Sequence, residues 1–250
     1  MNAISDTRAP AEPVVLAARR WLTPVREQLA DKFLSAYITG GALNEGFDPE
    51  RRHVNMLVVA EELPIGRLEA LAAKVPLTKK APHIDPLFMT HQQIQRSLDV
   101  FPIEWLDVQE RHYTLDGVDL FTTLDVPQTY LRLQIEQELR GKYLRLTQGF
   151  LTGAAHAEHL HGTLARLASG FHTLFRALIR LREEVPPVSL ERTIARVAEI
   201  YDLDAEALSG AHRMRGQRRH PGVDETRAVY RAFLTQIERL TSAVDGLRLS

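Results

Sequence analysis

The 250-residue chain contains no cysteine. Disulfides, thiolate metal sites and cysteine nucleophiles are therefore excluded, and the absence fits a reducing compartment such as the cytoplasm. An excess of one charge is also missing: 31 basic against 32 acidic residues leave a net charge of −1. General nucleic-acid-binding surfaces are strongly basic, so this balance disfavours such a partner. No apolar run approaches the roughly 18 residues of a membrane span. The opening MNAISDTRAPAEP has no apolar stretch of the kind a secretory signal needs. Lysine is scarce, occurring only at positions 32, 74, 79, 80 and 142, while arginine is abundant, a bias that suits a GC-rich bacterial source. There is no phosphate-cradling Walker loop, serine nucleophile elbow, dinucleotide fingerprint or zincin motif.

What is present is an ordinary globular composition, 44% hydrophobic and 25% charged. The chain changes texture near its middle. Residues 1–13 read as a tail. Residues 14–125 alternate short apolar runs, helical patterns and turns, whereas 126–250 hold helical periodicities and no convincing strand. In the first part Thr23-Pro24 reads as a helix start. Strands are expected over 35–39, 53–60, 87–90 and 101–108, and helices over 63–74, with Ile65, Leu68 and Leu71 inward, and over 91–98. Asp116-Gly117 reads as a turn. In the second part, Leu160, Leu164, Leu167, Phe171, Leu174, Leu178 and Leu181 recur every 4 and 3 residues, one continuous seam suited to near-parallel helix packing. Ser189, Asp204 and Asp224 are placed to cap three later helices. A helical bundle is expected, whose seam is core first and a partner or homodimer interface second.

The stretch that carries chemistry is Tyr37-Ile-Thr-Gly-Gly-Ala-Leu-Asn-Glu-Gly-Phe-Asp-Pro-Glu-Arg-Arg-His-Val-Asn-Met. A strand enters the Gly40-Gly41 turn, and a second strand begins after eleven residues separating Gly41 from His53. Glycine lets backbone N–H groups approach a phosphate closely, so Thr39, Gly40 and Gly41 are the candidate nucleotide contacts. This arrangement resembles the nucleotidyltransferase superfamily, whose pattern is an apolar residue, Gly, Gly or Ser, then after nine to thirteen residues Asp, apolar, Asp or Glu, apolar. The resemblance covers roughly residues 24–110. It implies an α+β fold, a mixed sheet with flanking helices, followed by an all-α bundle. It also implies a nucleoside triphosphate as substrate, with Mg²⁺ as cofactor.

At the family's two aspartate positions this chain carries His53 and Asn55. Glu104, taken to lie on a strand, is the candidate for the third carboxylate the family uses. Two Mg²⁺ ions need hard, anionic oxygen ligands, whereas imidazole is a poor Mg²⁺ ligand and an amide is neutral. At an effective dielectric near 20, each absent unit charge forgoes about 4 kcal/mol of attraction per unit of cation charge at about 4 Å. The expectation is therefore a degenerate nucleotidyltransferase that still binds a nucleotide or docks a protein. The alternatives are an active enzyme with a non-standard site centred on Glu104, and an interaction module using the bundle. Blander readings stand beside these. His53 and Asn55 suit the solvated face of any strand, and His156, His159 and His161 read as solvated helix-end histidines. The basic run with Arg213, Arg215, Arg218 and Arg219 is a candidate phosphate or partner loop, though such loops are usually plain solvated connections.

Overall fold

The computed structural model describes residues 9–44, 47–73, 81–127, 129–182, 184–214 and 222–247. Its first helix, α1 (Glu12–Leu29), buries Val14, Ala18, Trp21, Leu22, Val25 and Leu29 along one stripe. The helix begins at Glu12, with Pro13 in its first turn where no N–H is needed, and it runs straight through Pro24. The expected start at Thr23-Pro24 is thus corrected. An interior proline costs about 3 kcal/mol, which the continuous apolar stripe on both sides of it offsets. Part of the expected tail, Glu12 and Pro13, is helical, and residues 1–8 lie outside the described part.

Strand β1 (Phe33–Thr39) follows, then a 3-10 turn over Gly40–Leu43 and strand β2 (Val54–Ala60). Helix α2 (Ile65–Ala72) crosses over to β3 (Ile84–Thr90), which lies parallel to β2, as such a crossover allows. Helices α3 (His91–Arg96) and α4 (Pro102–Glu110) lead to β4 (His112–Gly117). The sheet order is β3-β2-β1-β4, with β1 antiparallel to both β2 and β4. Because side chains alternate across a strand, Ala36, Ile38, Val54, Met56, Val58 and Ala60 join α1 in one core. Tyr37 and Leu57, paired across β1 and β2, belong to the other face.

Three further expectations are corrected in this part of the chain. The run expected as a strand over 101–108 lies in helix α4 from Pro102 on: Pro102 sits in its first turn, and Pro102, Ile103, Trp105, Leu106 and Asp107 are buried while Glu104 is exposed. Asp116-Gly117 is the end of a strand that reads as polar in sequence. Of the expected inner face of α2 only Leu71 is buried, with Ile65 and Leu68 exposed.

The chain divides into two compact units, Met1–Pro127 and Gln128–Ser250. The second is helical: α5 (Leu131–Gly153), α6 (Ala157–Ser169), α7 (Phe171–Arg180), α8 (Leu190–Tyr201), α9 (Ala205–Met214) and α10 (Val223–Asp245). The apolar seam is real but broken at Gly170 into α6 and α7, so it is not one straight rod. Ser189 caps α8 through Arg192 N, and Asp204 Oδ1 accepts from Glu206 N and Ala207 N ahead of α9. The cap of α10 is Gly222, and Asp224 lies within its first turn. His161 is buried, its Nε2 donating to Met214 O at 2.9 Å, so it is a satisfied core histidine and not a solvated one. No helix among the described residues is long and apolar enough to cross a membrane.

The outer strand β4 depends on one backbone position. Gly117 has φ +85°, and a Cβ there would lie 2.1 Å from Leu34 O. Gly117→Ala combines a left-handed backbone with a clash against backbone, and should destabilise the chain by about 3 kcal/mol, measured by denaturant unfolding.

Candidate functional site

The register of the sheet sets the site. Thr39 on β1 faces Asn55 on β2, Asn55 faces Asp85 on β3, and on the other side Thr39 faces His112 on β4. Adjacent strands lie roughly 4.8 Å apart, so His112, Thr39, Asn55 and Asp85 form one row across four strands, at the ends where β2, β3 and β4 begin. The row shares its face with Tyr37 and lies opposite the core under α1.

Aromatic packing closes the β4 side of that face. Tyr37 is fully buried, 4.7 Å from the Phe121 ring and 5.5 Å from that of His112, with Trp105 stacked on Phe121 at 6.1 Å. Its hydroxyl donates to Val118 O at 2.7 Å and accepts from Leu120 N at 2.9 Å. Burial pushes the Tyr37 phenol above its ordinary value, so it stays neutral and works as an anchor. His112 is held too: Nδ1 donates to Val108 O at 2.8 Å, and Nε2 lies 3.1 Å from Asp119 Oδ2. On the β3 side Asn55 and Asp85 are exposed. One residue ahead of β2 and β3, the His53 and His83 rings lie 5.7 Å apart.

The Gly40–Leu43 turn sits beside this row. Gly40 has φ +64°, and a Cβ on it would come within 3.2 Å of the Asn55 amide nitrogen. Both the backbone and the space therefore call for glycine. The turn ends at Asn44, whose N–H donates to Gly41 O at 3.1 Å. Asn44 Oδ1 in turn accepts from Arg111 Nη1 at 2.9 Å. Arg111 is itself buried and grips the Asp107 carboxylate bidentately, at 3.2 and 2.8 Å. The end of α4 is thereby tied to the turn through a charge-assisted fork.

The structure brings together Thr39, Gly40, Gly41 and Asn55 from the expected set. It places Glu104 in the first turn of α4, outside the row. Asp85 is the acid that strand pairing aligns with Asn55, and sequence reasoning missed it. Pro86 made the strand seem to begin at Leu87, yet β3 is an edge strand, where proline is tolerated. The alternation His83-Ile84-Asp85 was the signal that could have found it. Arg213 lies on α9, paired along its own helix with Glu206. Arg215, Arg218 and Arg219 lie outside the described residues.

Among the described residues, the donors on the His53 and His83 ends of β2 and β3 are His53, Asn55, His83 and Asp85, with one carboxylate among them. That set does not fit two Mg²⁺ ions, which need several anionic oxygens. Among the described residues no three His, Asp or Glu side chains gather closely enough to hold a metal by themselves.

No protein-family model and no curated protein matches the chain. Among solved structures, it is similar to the spectinomycin adenyltransferase AAD(9) from Enterococcus faecialis, solved with ATP and spectinomycin. The TM-score is 0.51 at 14% identity, over 90% of this chain and 98% of that one. It is also similar to a nucleotidyltransferase-like protein from Exiguobacterium sibiricum, with a TM-score of 0.34 at 15% identity over 92% of this chain and 74% of that one. The chain has a nucleotidyltransferase-like fold, a mixed sheet with flanking helices followed by a helical region.

The Arg111 fork gives a direct test of how the turn is held. Arg111→Leu leaves the Asp107 carboxylate buried without its guanidinium and should cost about 3–5 kcal/mol in denaturant unfolding. The double change Arg111→Leu with Asp107→Leu should recover most of that loss.

Proposed function

We propose that this chain binds a nucleoside triphosphate at the Gly40-Gly41 turn and does not carry out two-metal nucleotidyl transfer. The observation that carries this reading is the row Thr39–Asn55–Asp85 beside the turn, which contains a single carboxylate. Backbone N–H groups at a left-handed glycine hold phosphate oxygens whatever the neighbouring side chains are. The Asn55 amide nitrogen next to Gly40 adds a donor. An aspartate in its place would repel the phosphates unless metal ions stood between them, so asparagine suits anion binding without a metal. The ATP held by the similarly folded spectinomycin adenyltransferase supports ATP as the first nucleotide to try. In this reading Thr39, Gly40 and Gly41 contact phosphate, and His53 and Asn55 are degenerate metal positions.

ATP at about a hundred times its Kd should raise the melting temperature by roughly 5–10 °C with or without Mg²⁺. Gly40→Ala should remove that shift while the chain stays folded, and no AMP should be transferred to any acceptor with Mg²⁺ or Mn²⁺. Absence of any shift with all four common nucleoside triphosphates would instead favour an interaction module working through the helical unit.

The alignment of Asp85 with Asn55 favours a second reading, an active enzyme whose essential acid is Asp85 and not Glu104. If nucleotide transfer is detected, Asp85→Asn should abolish it and Glu104→Gln should leave it unchanged; the reverse pattern rejects Asp85.

A further inference from the structure

We propose that His53 and His83 form a binding site for a borderline transition-metal cation of the Zn²⁺, Co²⁺ and Ni²⁺ class. The inference concerns the cation alone and does not rest on nucleotide binding. Parallel pairing of Val54 with Ile84 brings the two histidines side by side immediately ahead of β2 and β3. Their backbones are locked there by Val54 N donating to His83 O at 2.8 Å.

The ring geometry fits a shared ion. A ring nitrogen about 2.1 Å from a metal puts the ring centre about 3 Å from it, so two imidazoles on a tetrahedral ion have centres about 5–6 Å apart. The observed separation is 5.7 Å, with the rings tilted by 54°.

The chemistry also selects the cation. Two imidazole nitrogens favour Zn²⁺, Co²⁺ and Ni²⁺ over Mg²⁺, which takes hard oxygen donors. Among the described residues no third His, Asp or Glu joins them, so His53 and His83 are the ligands the proposal commits to. The remaining coordination positions would be taken by water. The loss of the family's aspartate at position 53 thus exchanges a hard-cation ligand for half of a nitrogen pair.

The test uses the full chain without nucleotide, titrated with Co²⁺ followed by its visible absorption and with Zn²⁺ by calorimetry. One equivalent should bind. His53→Gln and His83→Gln should each weaken binding at least roughly tenfold, the double variant should abolish it, and His156→Gln should change nothing. Ni²⁺ should broaden imidazole NMR signals of His53 and His83 before those of other histidines, a reading that needs no variant to fold. Failure of the wild type to bind, binding that survives in the folded double variant, or displacement of Co²⁺ by equimolar Mg²⁺ would overturn the proposal. Because ATP is absent throughout, a negative result leaves the nucleotide reading standing, and a failed ATP shift leaves this one.

Discussion

Everything at the candidate site depends on the register of three strands. Thr39, Asn55 and Asp85 meet because β1 pairs antiparallel with β2 and β2 parallel with β3 at those positions. A slip of one residue would turn Asn55 toward α1 and bring Val54 or Met56 out to solvent, exchanging every side chain of the strand between faces. That slip is opposed by the core, where Val54, Met56, Val58 and Ala60 are buried under α1. Each such side chain is worth on the order of 1–3 kcal/mol in the buried position. The apolar face thus fixes the position of the polar face, and chemistry at Asn55 and Asp85 is a consequence of packing on the opposite side of the sheet.

The second constraint is electrostatic. A buried Arg111–Asp107 pair is weak evidence for stability, since desolvation of two charges consumes most of what their attraction returns. Its geometry is more informative. The guanidinium uses one edge for Asp107 and its remaining Nη1 for Asn44, the residue that closes the glycine turn. An apolar pair of the same volume would fill the space but have no directional bond to offer Asn44. The same helix end leads directly into His112, whose ring is pinned by Val108 and Asp119. The turn and the β4 end of the row are therefore positioned by adjacent residues of one segment.

How much of this was legible in the sequence follows from which signals are local. The β1, glycine turn and β2 were readable because alternation with period 2 and a double glycine are short-range features. The misreading of 101–108 came from a run whose β-prone residues Phe101, Ile103, Trp105 and Val108 suit either state. Pro102 decides it, because proline is at home in the first turn of a helix and poor in a paired strand. Asp85 was hidden behind Pro86, since only the sheet order reveals that β3 is an edge strand. β4 was hidden because its residues, His-Tyr-Thr-Leu-Asp-Gly, carry little apolar alternation and are held by pairing with β1. Likewise His161 was legible as a helix residue, but its partner Met214 O lies 53 residues away.

In the proposed nucleotide-binding reading, His53 and Asn55 are coherent when phosphate binding and metal binding are treated as separate physical tasks. In that reading phosphate capture would draw on backbone N–H groups whose direction is set by the left-handed Gly40, and side-chain charge would enter it only by attraction or repulsion. Metal capture draws on side-chain donors alone. Asparagine at 55 beside Gly40, unlike a carboxylate there, would add no repulsion that metal ions must screen. At an effective dielectric near 20 that repulsion is about 4 kcal/mol per unit charge at about 4 Å, several times the value of an ordinary neutral hydrogen bond. A cation-free site with aspartate at 55 would therefore bind a triphosphate poorly, and one with asparagine there would leave the turn usable. The one acid left in the row, Asp85, stands a strand farther from the turn. A phosphate held at Gly40 would meet that charge across about twice the distance, where it would cost about half as much.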